Sequence, residues 1–127
     1  MSSTLIVMLG GAIGAAMRYH LSRLAAHWFS NGLLAGWPAA TLLVNVSGSF
    51  AMGMLAGWMH RHGPSEPWRL LLGVGVLGGF TTFSAFSLEA IELLQSARWL
   101  AALCYIGLSV ILSLAGLLAG LTLVRAL

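Results

Sequence analysis

One stretch of ten residues combines side chains that could coordinate an ion with a backbone that suits a helix poorly. It runs from Gly78 to Ser87 and contains two glycines, four hydroxyl residues and three phenylalanines. It lies inside an apolar segment long enough to cross a membrane. Irregular backbone persists at that depth only where it is buried in protein or lines a wet cavity. We therefore predict a helix break near 78–82 and expect the function to depend on this stretch.

The side chains around the predicted break suit a small anion. Thr82 and Ser84 supply hydroxyl donors beside Phe83 and Phe86, and the edges of aromatic rings carry the positive part of the ring quadrupole. Such a lining offers no full positive charge that would trap an ion, and conduction requires binding that is weak enough for release. Packing is the more common role of aromatic residues at helical spacing, and this alternative stays open.

A break would also free backbone groups. The helix that restarts after it presents unpaired N–H groups, and the carbonyls before it can coordinate a hard cation such as Na⁺. A simple kink without any bound ion is the alternative.

Polar residues also occur in the other apolar segments. Tyr105, Ser109 and Ser113 are spaced at i, i+4 and i+8, which predicts one polar stripe along a helix. Asn45 either presents its amide to an anion or bonds a neighbouring helix, because an amide in hydrocarbon must be paired. Arg18 either attracts anions into a vestibule or extends to the membrane surface.

The remaining ionisable residues do not indicate catalysis. Glu89 and Glu92 follow the predicted break, and we expect them to cap the helix or to pair at the membrane interface. The four histidines have no metal-ligand spacing, and no nucleophile stands with a base, so we predict no enzyme. Cys104 is the single cysteine, which suits a buried apolar position.

Composition defines the class of protein. Of 127 residues, 59% are hydrophobic and 7% are charged, whereas about a quarter are charged in soluble domains. Three long runs carry no formal charge: Leu24 to His60, Leu70 to Leu88 and Trp99 to Val124. A membrane span needs about 20 apolar residues, so this is an integral membrane protein in contact with the bilayer. Six arginines against three glutamates form no basic patch, and we expect no nucleic-acid partner.

The sequence predicts an all-α fold with four transmembrane helices in one membrane domain over 1–127. The helices are expected at about 4–27, 38–60, 67–95 and 98–125, the third being broken near 78–82. Each carries a pair of glycines one turn apart, which lets membrane helices approach closely. The pairs are Gly10/Gly14, Gly53/Gly57, Gly75/Gly79 and Gly116/Gly120. Because four short helices can hardly enclose a polar pathway, we expect a second subunit to complete the bundle.

The arginines are divided equally between the two sides of the membrane in this topology. Arg61, Arg69 and Arg125 fall on one side, and Arg18, Arg23 and Arg98 fall on the other. Orientation follows the bias of Lys and Arg between the sides, so a chain without bias can insert both ways and pair antiparallel with itself. Alternatively, a feature other than the distribution of arginines sets the orientation of the chain.

Several of these segments together resemble one known family. They are the glycine-rich first helix ending at Arg18, the segment Gly36–Asn45 with its Thr-Leu-x-x-Asn, the stretch Gly78–Glu89, and the stripe that begins at Tyr105. Over nearly the whole chain they resemble the small bacterial fluoride channels, called Fluc or CrcB. That resemblance implies a multi-pass protein of the bacterial inner membrane, which assembles as an antiparallel dual-topology homodimer with two pores. It implies passive, fluoride-selective export that lowers fluoride toxicity.

The resemblance also implies roles for individual residues. Phe83 and Phe86 match the two pore phenylalanines, Asn45 the pore asparagine and Arg18 the vestibule arginine. The backbone carbonyls of Gly78 and Thr81 match the ligands of a structural Na⁺ on the dimer axis. The remaining pore residues implied by position are Thr82, Ser84, Tyr105, Ser109 and Ser113.

Two other classes of function remain as alternatives. A small multidrug-type proton antiporter would also be a four-helix, dual-topology dimer, but it needs a membrane-embedded carboxylate in the first helix, and this chain has none there. A non-transporting membrane scaffold held by the glycine pairs would leave the polar positions without a purpose.

Overall fold

The structure is a computed structural model that describes residues 2–31, 35–63 and 65–127. Its described part is helical and contains four helical segments that are long and apolar enough to cross a membrane. They are Ser3–Trp28, Ala39–His62, Glu66–Gln95 and Trp99–Ala126. The prediction of an all-α chain with four spans is confirmed.

Three spans are continuous helices and the third is interrupted. We label the continuous spans α1 (Ser3–Trp28), α2 (Ala39–His62) and α5 (Trp99–Ala126). The third span consists of α3 (66–80) and α4 (Phe83–Gln95), which are separated by Thr81 and Thr82 in extended conformation. The break is therefore shorter than the predicted 78–82, because Gly78 and Gly79 remain helical.

Most of α3 is a π-helix, which the sequence did not lead us to expect. The wider turns cover Arg69–Leu77, and α-helical geometry returns at Gly78–Phe80 just before the break. π-helical turns are rare and occur frequently at functional sites. Here α3 ends next to the middle of α1, where Gly75 contacts Gly10 and Gly79 contacts Gly11.

Helices α1 and α3 run parallel and touch through their backbones. A methyl group added at Gly14 would overlap the carbonyl of Val76, and one added at Gly79 would lie 2.6 Å from the carbonyl of Gly11. Helix backbones approach this closely only where the residues at the contact are small. The glycines of these two helices therefore set the position of the break relative to Arg18.

Helices α2 and α5 form a second parallel pair of the same kind. A methyl group at Gly53 would overlap the carbonyl of Leu117, and one at Gly120 would overlap the carbonyl of Phe50. Large apolar side chains of the spans point outward and are exposed, including Leu103 and Ile111 of α5, as expected of a surface that faces lipid. Cys104 is exposed on the same helix, so the expectation that it is buried is wrong. The close packing expected from the glycine pairs is observed.

Candidate functional site

A groove of about 380 Å³ lies between α2 and α5, next to the break in the third span. We call it the central groove. Its lining residues come from α2, the break, α4 and α5, and none of them is charged. They are Asn45, Gly48, Ser49, Met52, Thr81, Thr82, Phe83, Phe86, Ser109, Val110, Ser113, Leu114 and Leu117. Six of the eight predicted pore residues thus come together, while Ser84 and Tyr105 lie outside this lining.

Asn45 holds the break in place with its side-chain amide. Its Nδ2 donates to the carbonyl of Thr82 at 2.9 Å, and its Oδ1 accepts from the N–H of the same residue at 2.8 Å. These are backbone groups that lose their helical partners where the helix is interrupted, and unpaired backbone is costly at membrane depth. The amide retains one further N–H that it can donate to a ligand.

Thr82 also begins the helix that follows the break. Its hydroxyl accepts from the N–H of Ala85 at 3.2 Å and thereby caps α4. The hydroxyl of Ser84 lies 3.2 Å from that of Thr82. Thr82 therefore stabilises the start of α4 and also lines the groove. Ser84, which contacts Thr82, is exposed.

Ser109 presents a buried hydroxyl without a partner. The residue is 7% exposed and lines the central groove. Its Oγ is the one fully buried side-chain polar atom in the described part of the chain that makes no hydrogen bond. A buried unsatisfied polar group is unfavourable and marks a position where a ligand or an ion can supply the missing interaction.

The aromatic side chains of α4 form a row that continues into α5. Phe83 and Phe86 lie 5.3 Å apart between ring centroids, and Phe86 lies 5.3 Å from the ring of Tyr105. Phe83 is 78% exposed, although it lines the groove. Phe80, the third phenylalanine of this spacing, is buried and packs next to Gly48 of α2.

Glu89 takes part in a hydrogen-bonded cluster inside the helix bundle and does not cap a helix or pair at the interface, although the sequence predicts this. The hydroxyl of Tyr105 donates to its Oε2 at 2.6 Å, and the hydroxyl of Thr41 donates to its Oε1 at 2.7 Å. Tyr105 is fully buried, so its hydroxyl proton is directed to the carboxylate and away from the groove. Tyr105 therefore contributes only its ring to the predicted polar stripe, and not its hydroxyl group.

The regular spacing of polar residues on α2 could have identified these partners. Thr41, Asn45 and Ser49 follow one another at intervals of four residues, which places them on one helix face. Glu89 follows Phe86 by three residues, and this spacing also predicts a shared face.

A second cavity of about 480 Å³ adjoins the other side of the break. Its lining includes Arg18, Tyr19, Arg23 and Thr41, and it shares Thr82 with the central groove. The Nη1 of Arg18 donates to the carbonyl of Thr81 at 3.4 Å. The cavity thus presents positive charge directly next to the break, and positive charge attracts anions.

The two carbonyls predicted to bind Na⁺ lie at the end of α3. Because the N–H of Thr82 donates to Asn45, the carbonyl of Gly78 does not receive its usual helical bond. The carbonyl of Thr81 accepts a long bond from Arg18, whose guanidinium is a competing cation there. Neutral backbone carbonyls at a helix break are suitable ligands for Na⁺. The donor set therefore fits this ion, most clearly at Gly78.

Fold and groove together define a four-span membrane protein with a broken third helix and an uncharged, hydroxyl-bearing groove beside the break. A family model described as "CrcB-like protein, Camphor Resistance (CrcB)" matches residues 5–121. The chain belongs to this family, as the resemblance predicted, and it is a multi-pass bacterial membrane protein.

Curated relatives match over almost their entire length. A protein of Hyphomonas neptunium is 48% identical over 98% of this chain and 97% of its own length. One of Novosphingobium aromaticivorans is 49% identical over 98% of both chains, and one of Erythrobacter litoralis is 46% identical over 97% of this chain and 92% of its own. Each of these relatives is named fluoride-specific ion channel FluC. They are channels and not enzymes, in agreement with the prediction of no catalytic activity.

Proposed function

We propose that this chain is a fluoride-specific ion channel, as its relatives are named. The observation that carries the proposal is the buried, unpartnered hydroxyl of Ser109 in the central groove. A hydroxyl in this position can donate to a small anion that has lost water. Ser113 lines the same groove one turn further along α5, so that an ion passing along it meets donors in succession.

The lining of the groove accounts for selectivity and for release. Phe83 and Phe86 supply ring edges, and the spare N–H of Asn45 and the serine hydroxyls supply donors. The lining contains no arginine, lysine or glutamate. Fluoride is small and strongly hydrated, so that several short contacts can replace its water, and the absence of a fixed charge lets it leave again. Chloride is larger and gains less from the same contacts.

The residues next to the groove contribute through position and charge. Arg18 attracts anions into the vestibule on the other side of Thr82, which both cavities share. Thr82 and Ser84 hold the start of α4, and Tyr105 orders its ring against Phe86 through the bond to Glu89. In this proposal Tyr105 shapes the pore wall and the serines donate to the ion.

The functional unit is an antiparallel homodimer with dual topology. Two observations support it: Phe83 is 78% exposed although it lines a groove with polar residues, and the arginines are divided equally between the two sides of the membrane. Polar groups exposed to lipid are unfavourable, and a second copy laid over the groove would remove them from lipid. Two copies related by a twofold axis would form two equivalent pores.

A structural Na⁺ is proposed to bind to the carbonyls of Gly78 and Thr81, with the same atoms of the second copy completing its ligands. The ion would supply the interaction that the freed carbonyl oxygens lack at the break. The chain contributes neutral oxygen donors, which suit a hard cation, and the contact of Gly79 with Gly11 of α1 fixes the end of α3 next to Gly78.

Transport is proposed to be passive export across the bacterial inner membrane. Fluoride enters cells as HF and is trapped in the cytoplasm as the ion, so that a channel alone can release it down its electrochemical gradient and lower its toxicity. No charged residue in the groove is available to couple this flow to protons.

Efflux from liposomes that hold the purified protein tests the proposal. A fluoride electrode follows release, while valinomycin and K⁺ carry the compensating charge. We expect fast fluoride release that requires valinomycin, negligible chloride release and loss of flux in Ser109→Ala. Absence of fluoride release from folded protein would refute the channel.

One observation favours a second candidate, a proton-coupled antiporter. Glu89 is a carboxylate within the third span and is bonded to two hydroxyls, and carboxylates within membranes serve as proton relays in transporters. The same liposomes separate the two functions. A proton gradient at zero voltage that drives substrate uptake would support the antiporter, whereas flux that follows only the fluoride gradient and the voltage supports the channel. A scaffold would give no flux of either kind.

A further inference from the structure

Ser49 lies on the wall of the central groove that is formed by α2. It follows Asn45 by four residues, so both occupy the same face of the helix. Both line the groove, together with Gly48 and Met52 of the same helix. The Ser49 side chain therefore faces the serines of α5 across the groove and is half-buried.

The packing of α2 against α5 determines the level of Ser49 along the groove. Val46 packs against Gly116, and Gly53 packs against Leu117. Because the helices run parallel, Ser49 lies between these contacts, at the level of the α5 turn that follows Ser113. One helical turn is about 5.4 Å. Ser109, Ser113 and Ser49 consequently form a row in which Ser49 is the last hydroxyl before Met52 and Leu117.

The hydroxyl of Ser49 is available to a ligand, whereas that of its neighbour is not. Ser47 donates to the carbonyls of Leu43 and Val44 in its own helix, at 2.7 and 3.1 Å. This is the usual arrangement for serine in a membrane helix. Among the described residues no side-chain hydrogen bond involves Ser49, and its oxygen is not among the fully buried unpaired atoms.

We infer that Ser49 is a fluoride-coordinating residue that extends the row of donors from α5 onto α2. This inference rests on the proposed function. At its position an ion that leaves Ser113 keeps one donor before it passes the apolar end of the groove. Loss of that donor raises the barrier at this end, because a hydrogen bond to an ion is stronger than one between neutral groups.

Ser49→Ala and Ser47→Ala form a matched pair that tests this role. We expect Ser49→Ala to lower the fluoride efflux rate about tenfold, the change that corresponds to about 1.4 kcal/mol. Ser47→Ala should retain the wild-type rate, and Ser49→Thr, which restores a hydroxyl, should recover most of the loss. Elution as a single species of wild-type size verifies that each variant is folded.

The result that would refute a role for Ser49 differs from the result that would refute the channel function. A Ser49→Ala rate equal to wild type, or an equal loss in Ser47→Ala, would refute a role for Ser49 while fluoride flux through the unchanged protein still supports the channel. Ser49→Cys in a Cys104→Ala background gives a second test that does not depend on Ser49→Ala. A small thiol reagent added from the aqueous phase should block Ser49→Cys and leave Ser47→Cys conducting; block of neither variant would contradict the inference.

Discussion

Replacement of Asn45 by leucine should destabilise the protein as well as stop conduction. Leucine has the same number of side-chain heavy atoms and the same branching as asparagine, but it can form neither of the bonds to Thr82, which measure 2.9 and 2.8 Å. The N–H and the carbonyl of Thr82 would then be buried without partners. Each such group costs about 1–3 kcal/mol, so that the free energy of unfolding should fall by about 2–6 kcal/mol.

Aspartate at the same position separates the two roles of the amide. Asn45→Asp keeps an acceptor for the N–H of Thr82 and loses the donor to its carbonyl. As a carboxylate it keeps one of the two bonds that leucine loses, but it places a charge next to the carbonyl of Thr82 that has lost its donor, so the free energy of unfolding should fall for this variant too. Conduction should nevertheless be abolished, since a negative charge in the groove repels anions.

Equilibrium unfolding in mixed micelles measures the stability of these variants, and liposome efflux measures their conduction. Ser47→Ala serves as the control for a substitution on the same helix that leaves the groove unchanged. If Asn45→Leu unfolded at the wild-type denaturant concentration and merely failed to conduct, the amide would act on the ion alone and our account of the break would be wrong.

Three further predictions concern the packing, the carboxylate and the cation. Gly120→Ala should lower the thermal midpoint of unfolding by several degrees, because its methyl group would overlap the carbonyl of Phe50. Gly107→Ala is the control, since a methyl group at Gly107 meets no atom within 4 Å in the subunit. Equal effects of the two substitutions would contradict the packing argument. Tyr105→Phe and Glu89→Gln should show a coupling of about 1–3 kcal/mol in the free energy of unfolding in a double-mutant cycle, because the 2.6 Å hydrogen bond joins the two side chains directly. Strictly additive effects of the two substitutions would disprove that coupling. Replacement of Na⁺ by N-methylglucamine should lower the thermal midpoint of the protein, with recovery on return of Na⁺, and an unchanged midpoint would argue against a structural ion.

The position of the break was predictable because it follows from local chemistry. Glycines and hydroxyl residues inside an apolar span indicate irregular backbone, and the structure places extended residues at Thr81 and Thr82. The exact limits were not predictable. Gly78 and Gly79 stay helical, and Gly79 packs against the backbone of the distant Gly11 of α1.

The role of Asn45 illustrates the limit of reasoning from one segment. The sequence left open whether its amide binds an ion or another helix, because both satisfy a polar group in hydrocarbon. The structure pairs it with the backbone of Thr82, 37 residues away. For Glu89, helical spacing indicates which face each residue occupies but not which side chains bond, since Thr41 and Tyr105 lie on two other helices.

The sequence by itself determined the number of spans, the place of the break and the residue types of the groove, because apolar length, glycine content and helical spacing are properties of neighbours along the chain. The tertiary structure decided which of these residues face one another. Glycine contacts bring α1 to α3 and α2 to α5, and that pairing leaves Ser109 unpartnered in the groove while it directs Tyr105 to Glu89. Such choices depend on contacts between residues far apart in sequence, which are fixed only when the helices pack.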